Sequence, residues 1–301
     1  MARDLVGGQA LIDGVMMRRG STWAAAARRA DGSIASFRAE ATPALARWRG
    51  VPVLRGTGAL VDSVRIGMRA MRWSREQGTP NGSSHGGPVT SIRERAVVVT
   101  VVGTVVAAFL FVPLGIATGF GRLLGGPVGI AVVEGLARLG LFVAYLAMLS
   151  RLPGVRETLE YHGAEHMVVA AYEAGGPVDV PAARNHSTRH PRCGTDFFGL
   201  IFAVSIVVFS VVGSLPAPAM VLSRVLLAPV VVGISYEVMR AAGTSAHTVS
   251  GRLFAAPGLW LQRFTTAEPT DAQVDVAIAA LDALLAPAAR ESTGALVQTT
   301  P

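Results

Sequence analysis

The chain has 301 residues, 51% of them hydrophobic and only 16% charged, a balance outside the range of ordinary soluble domains. Its net charge is +7 and all 27 basic residues are arginine; the single cysteine, Cys193, rules out an intrachain disulfide. The arginines flank apolar runs instead of interleaving with aromatic residues, so an anionic lipid surface explains them and a nucleic-acid footprint does not.

In chain order, residues 1–73 read as a small cytoplasmic α+β region. Within "WAAAARRADGSIASFRAE" (23–40), Asp31-Gly32 is a turn signal between two segments that can pair as a hairpin. In "VPVLRGTGALVDSVRIGMRAMRW" (51–73), Leu60, Val64, Met68 and Met71 recur at helical spacing with Arg65, Arg69 and Arg72 beside them. That is a basic amphipathic helix, resting either on the inner membrane surface or on its own domain. Residues 74–95 are rich in Gly, Ser and Pro and read as a flexible linker, with His85 in it and no role assigned to that histidine.

Residues 96–118, 128–149, 197–214 and 220–239 are apolar runs close to the ~20 residues that cross ~30 Å of hydrocarbon. The expected fold is therefore mainly α and polytopic, with four transmembrane helices in two hairpins (96–150 and 197–242), the third run being the shortest. The first run begins too deep in the chain for a cleavable signal peptide. Fifteen arginines precede Ala96, which assigns the amino-terminal region to the cytoplasmic side of the membrane. Four spans then return the carboxyl terminus to that side. Residues 119–127 and 215–219 become short outer turns and 151–196 an inner loop carrying Arg151, Arg156, Arg184, Arg189 and Arg192. Residues 243–288 form a cytoplasmic segment whose helix at 269–287 has Val274, Ile278 and Leu281 on its apolar face, and 289–301 read as a disordered tail.

The candidate chemistry lies in the inner loop. "YHGAEHMVVAAYEAGG" (161–176) has helical character, and in a helix His162 and His166 project from one face and can share an ion. Glu165 sits at the edge of that face, and Glu173 returns to it two turns later. The H-x-x-E-H order is that of inverted zinc peptidases, with histidines as ligands and the glutamate as general base. "NHSTRHPRCGT" (185–195) adds His186, His190 and Cys193, and imidazole with thiolate favours zinc over magnesium or calcium. The alternative is that interfacial histidines merely solvate a loop. Inside the spans, Glu134 and Arg138 are four apart and can pair on one helix face. Glu237, near the inner end of the fourth span, can approach the metal loop.

"GGQALIDGVMMRRG" (7–20), "LRGTGALVDS" (54–63), "EGLARL" (134–139), "YHGAEH" with "AYE", "HPRCGT" (190–195) and "PGLWLQRFTTAEPTDAQVDVAIAAL" (257–281) together resemble the YqhQ-like bacterial membrane proteins. That family carries a domain of unknown function and is described as predicted metal-dependent enzymes. The resemblance covers nearly the whole chain. It implies a polytopic inner-membrane protein with a metal site at His162, Glu165, His166, Glu173, His190 and Cys193, with Arg192 and Gly194 matching as neighbours. The family usually has glutamate where this chain has Asp13, and lysine where it has Met167; His186 lies outside the matching pattern.

Three functions follow as expectations. In the first, His162, His166 and one of His190 or Cys193 hold zinc, Glu165 acts as base, and the loop arginines position an anionic substrate or lipid of a hydrolase. In the second, all four close a shell that staples the loop without catalysis. The third is a transporter component, against which stand the absence of an inverted repeat and of discontinuous-helix signals.

Overall fold

The computed structural model describes residues 6–42, 50–78, 92–120, 126–213, 215–243 and 249–287. Most of the linker, His85 and the tail at 289–301 lie outside the described residues.

Four strands, β1 (Gly7–Leu11), β2 (Gly14–Arg19), β3 (Thr22–Arg28) and β4 (Ile34–Glu40), form an antiparallel meander in sequence order. The expected hairpin is present: Arg28 pairs with Ile34, Gly32 takes a positive φ, and Asp31 Oδ1 accepts the Ser33 N–H at 2.9 Å. Side chains alternate across the pleat. Val15, Met17, Ala24 and Ala26 enter one core, while Leu11, Met16, Trp23 and Ala25 enter another. Both faces are covered, so the run Ala24–Ala27 stays inaccessible and lets helices approach closely.

Helix α1 (Leu54–Gly78) covers the second face through Ile66 and Ala70. Its other face leaves Val64 and Met68 exposed among Arg65, Arg69 and Arg72. The helix therefore packs on its own sheet and keeps an unpartnered apolar stripe. The first face is covered by α4 (Pro153–Ala174), which the short α5 (Val180–Arg184) follows, and by α9 (Asp271–Leu285); α4 and α9 supply Ala164, Val168, Val274, Ala277 and Leu281. Thr270 and Gln273 form a reciprocal capping box that starts α9. The amino-terminal sheet, the central loop and the carboxyl-terminal helix are thus one folded unit.

Three helices among the described residues have the length and hydropathy to cross a membrane, where the sequence reading expected four. They are α2 (Ile92–Phe120), α3 (Pro127–Leu149) and α7 (Ala217–Gly243), with apolar segments Val99–Phe120, Val128–Leu149 and Pro218–Ala241. The expected third span, α6 (Thr195–Val212), has a shorter apolar stretch, Phe197–Val212. It is bounded by the Cys193-Gly194 turn and by Gly213, whose φ of 75° takes the chain out of the helix. α6 packs between α3 and α7 around Ala131, Phe209 and Val231. α8 (Val249–Thr265) lies against α6 and leads back to the sheet unit. A second joint forms where α1 meets α7. A methyl group on Gly56 would collide with the Tyr236 side chain, one on Gly233 with Val53, and Arg55 pairs with Glu237.

Candidate metal centre

Helix α4 starts at Pro153, whose missing N–H costs nothing in the first turn, and stops at Gly175 in the left-handed conformation. This leaves Tyr161–Tyr172 in the middle of a buried helix. His162 and His166 stand one turn apart with ring centroids 4.4 Å from each other. Cys193, just before α6, brings Sγ to 3.3 Å from His162 Nε2. Ligand atoms of His162, His166 and Cys193 all lie within 4.8 Å of one another.

Each imidazole is held by its other nitrogen. His162 Nδ1 donates to Thr265 O at 2.6 Å, and His166 Nδ1 donates to Thr188 O at 2.7 Å. Each Nδ1 is committed as a donor, which turns the other ring nitrogen away from those carbonyls; backbone carbonyls orient histidine ligands in this way. Burial, with the neighbouring His162 second, lowers the pKa of His166 to about 3, so this imidazole is neutral and ready to coordinate.

Glu165 is 4% exposed and faces β1, where the Gly8 N–H donates to it. Only glycine fits here, since a Cβ on Gly8 would lie 3.0 Å from the Glu165 carboxyl carbon and 2.3 Å from Met16 O. Burial pushes the Glu165 carboxyl up to about 7, against the opposing pull of His162 and the Gly8 N–H. Its Oε2 is buried with no hydrogen-bond partner among the described residues, as is Thr265 Oγ1 beside His162. Two imidazoles and a thiol form a donor set that suits a borderline cation such as zinc.

The remaining candidates are arranged differently. His190 accepts the Arg192 N–H at Nδ1 (3.3 Å) and turns Nε2 to Glu173 at 3.4 Å, so both ring nitrogens are engaged. Burial lowers its pKa. Arg192 pairs with Glu173 as well, and burial lowers its pKa too. His190, Glu173 and Arg192 thus form a network beside the cluster, with His166 and His190 rings 5.9 Å apart. Glu237 is held by Arg55 and the Val53 N–H, away from the loop. Asp13 occupies the β1–β2 turn at φ 52°, next to Gly78, where burial raises its pKa. Its charge acts on Glu157 and Tyr161, the latter pushed up to about 12, mainly by burial.

Glu134 and Arg138 pair at 2.7 Å. Arg224, passed over in the sequence reading although it lies inside the fourth apolar run, completes the group with Nη2 at 2.6 Å from Glu134. Other contributors were also missed. Gln262 is fully buried, accepts the His190 N–H at 2.8 Å and donates to His190 O at 2.9 Å, clamping the loop like a strand. Thr188 and Thr265 act through backbone carbonyls, which no side-chain pattern announces. Gly163 lets the chain after α8 close on α4: its Cβ would meet Ala267 O at 2.2 Å, and Ala267 N–H donates to Leu159 O.

Residues 51–287 match DUF1385, a protein family described as of unknown function. The chain is 33% identical over 291 residues to the uncharacterized protein YqhQ of Bacillus subtilis (strain 168), covering 93% of this chain and 92% of that protein. No solved structure matches.

Proposed function

Because the chain belongs to the DUF1385 family of YqhQ-like proteins, its chemistry has to be read from its own residues, and we propose that it is a membrane-embedded, zinc-dependent hydrolase. The carrying observation is the convergence of one ligand atom each from His162, His166 and Cys193 within 4.8 Å, with both Nδ1 atoms tied to backbone carbonyls. Three protein ligands leave a position open, which supports catalysis over a closed structural shell. A zinc ion there would lower the pKa of a bound water toward about 7. Glu165 can accept and return a proton at Oε2, because its other oxygen is held by Gly8 and its pKa lies near neutrality. Glu173 and Arg192, which hold His190, fix the wall of the site.

The membrane setting rests on α2, α3 and α7, with α6 as a short fourth span of the same bundle. Arginine counts favour both termini, the sheet unit and the zinc site on the cytoplasmic side of the inner membrane. The exposed Val64 and Met68 of α1, flanked by arginines, suit an anionic lipid surface. An anionic substrate drawn from that surface is the class proposed.

Elemental analysis of purified wild type against His162→Ala/His166→Ala tests the site. One zinc per chain is expected in the first and none in the second. A folded double variant that keeps stoichiometric zinc would refute the proposal. X-ray absorption separates the alternatives: two nitrogens, one sulfur and a light oxygen support the enzyme. Four protein ligands, with loss of the fourth in His190→Ala, would instead establish a structural staple.

A further inference from the structure

Glu134, Arg138 and Arg224 bring two cations and one carboxylate together inside the helix bundle. Glu134 is 1% and Arg224 5% exposed. Arg224 gives Nε and Nη2 to the two Glu134 oxygens at 3.1 and 2.6 Å and its Nη1 to Ser223 Oγ at 3.1 Å. Arg138 gives Nη2 to Glu134 and Nε to Phe109 O at 3.4 Å. Among the described residues, Arg138 Nη1 meets no acceptor. The sequence offers no second carboxylate: the apolar segments of α2 and α6 contain no Asp or Glu, and Glu237 of α7 is taken by Arg55. One positive charge is therefore left over. Arg138 lies roughly 15 Å along α3 from Val128, near the middle of a ~30 Å hydrocarbon layer, where an unmatched charge is costly.

The same two arginines line a cavity of about 520 Å³ between α2, α6 and α7. Its other walls are almost wholly apolar, including Phe109, Phe202, Val225 and Val231. That volume is within the ~300–1,000 Å³ of ordinary small-molecule sites, and a few polar groups at one place in an apolar pocket are what orients a ligand there. Val106 and Val225, both in the lining, are 59% and 56% exposed, so the cavity reaches the outer surface of the bundle.

Resting on the membrane reading above but not on the zinc site, we infer that this cavity binds a single-chain anionic amphiphile, its head on Arg138 and Arg224 and its hydrocarbon tail along α2 and α7. A carboxylate or phosphate head supplies the missing negative charge and accepts charge-assisted hydrogen bonds from Arg138. The tail replaces lipid or water against the apolar walls.

The test uses the full chain in vesicles with palmitic acid carrying a diazirine in its tail, beside the alcohol of the same tail. The acid should label peptides spanning Val105–Leu110 and Val225–Val232 about tenfold more than the alcohol, the lower end for one charge-assisted hydrogen bond. Arg138→Gln should remove the excess and leave alcohol labelling unchanged. If that variant does not fold, Phe202→Trp, which fills the cavity and keeps the charge, should abolish labelling by the acid. Competition by lysophosphatidic acid but not palmitate assigns a phosphate head, and the reverse a carboxylate. Equal labelling by acid and alcohol, or labelling spread over Val99 and Leu136 on the outside of the bundle, overturns the inference. Alkaline carbonate extraction of the same vesicles separates the two failures. Release of the protein defeats the membrane reading itself, whereas retention without discrimination defeats only the bound amphiphile.

Discussion

The Arg138–Glu134–Arg224 triad and the His162–His166–Cys193 cluster both take polar groups out of water, yet their hydrogen bonds point in opposite directions. Glu134 turns both carboxylate oxygens inward to the two arginines, so each member is the reason another can be buried. His162 and His166 turn one nitrogen outward to backbone carbonyls, and the other nitrogen of His162 faces Cys193 Sγ. The first group is complete except for one excess charge; the second brings three donor atoms within 4.8 Å of one another. Such a difference separates charges that hold one another in place from donors held by the backbone, and it is measurable.

The largest effect is expected at Glu134. Glu134→Gln leaves two buried guanidinium groups without their anion and should cost at least ~3 kcal/mol, as breaking a buried ion pair does. Melting of the detergent-solubilised protein reads the loss. Replacing Glu134, Arg138 and Arg224 together by leucine should recover most of it. A glutamine variant that melts with the wild type would show that the triad does not act as a unit.

The histidine cluster should behave in the opposite sense. Removing the His166 imidazole from zinc-free protein breaks one hydrogen bond to Thr188 and also relieves the burial of a titratable group, so the loss should be smaller than at Glu134. Added zinc should stabilise wild type by ~2.7 kcal/mol at a free concentration a hundredfold above Kd. His166→Ala should lose that increment. Thermal melts with and without zinc separate the two contributions, and an equal zinc response in both proteins would leave the cluster without a metal function.

How much of this was legible in the sequence follows from the range of the interactions. The β3–β4 hairpin and the shared face of His162 and His166 depend on residues a few positions apart, and both were read directly. Cys193 was recognised as a donor by residue type, and the loop delivers it to His162. The engagement of His190 was not readable, because it depends on which ring nitrogen meets Glu173 and which meets the Arg192 N–H. Gln262 and Gly163 were hidden for a related reason: they matter through backbone atoms of segments distant in sequence. The docking of α9 on the amino-terminal sheet is longer in range still; its apolar face was visible but its partner was not. Arg224 is the exception, since it lay in plain view within an apolar run four residues beyond its start.

Gly163→Ala tests whether the cluster depends on that distant joint. The added methyl group would meet Ala267 O, a backbone atom with no rotamer in which to retreat. α4 and the segment after α8 must then separate, and the Thr265 carbonyl that holds His162 ends α8 just before that segment. A loss of about 1–3 kcal/mol is expected for overpacking of this kind, with weaker zinc binding in the same variant. Weaker folding with unchanged zinc affinity would show that the His162 tether is dispensable.

The smallest expected effect is at Asp13, a carboxylate that belongs to neither cluster. Burial raises its pKa above the ordinary 3.8, and among the described residues no cation offsets that rise. A folded-state pKa above the unfolded value means that ionisation favours unfolding: the penalty is absent below about 3.8 and develops as the pH rises through the folded-state value. Asp13→Asn removes the charge and keeps a side chain that tolerates the positive φ of this turn. The variant should therefore melt slightly above wild type at neutral pH, and the difference should shrink toward pH ~3.5 as wild-type Asp13 takes up its proton. Asp13→Ala would lose that tolerance of the left-handed turn and should not share the gain. Destabilisation by asparagine at neutral pH would mean that the ionised carboxylate is itself required, and would move Asp13 out of the uncompensated class.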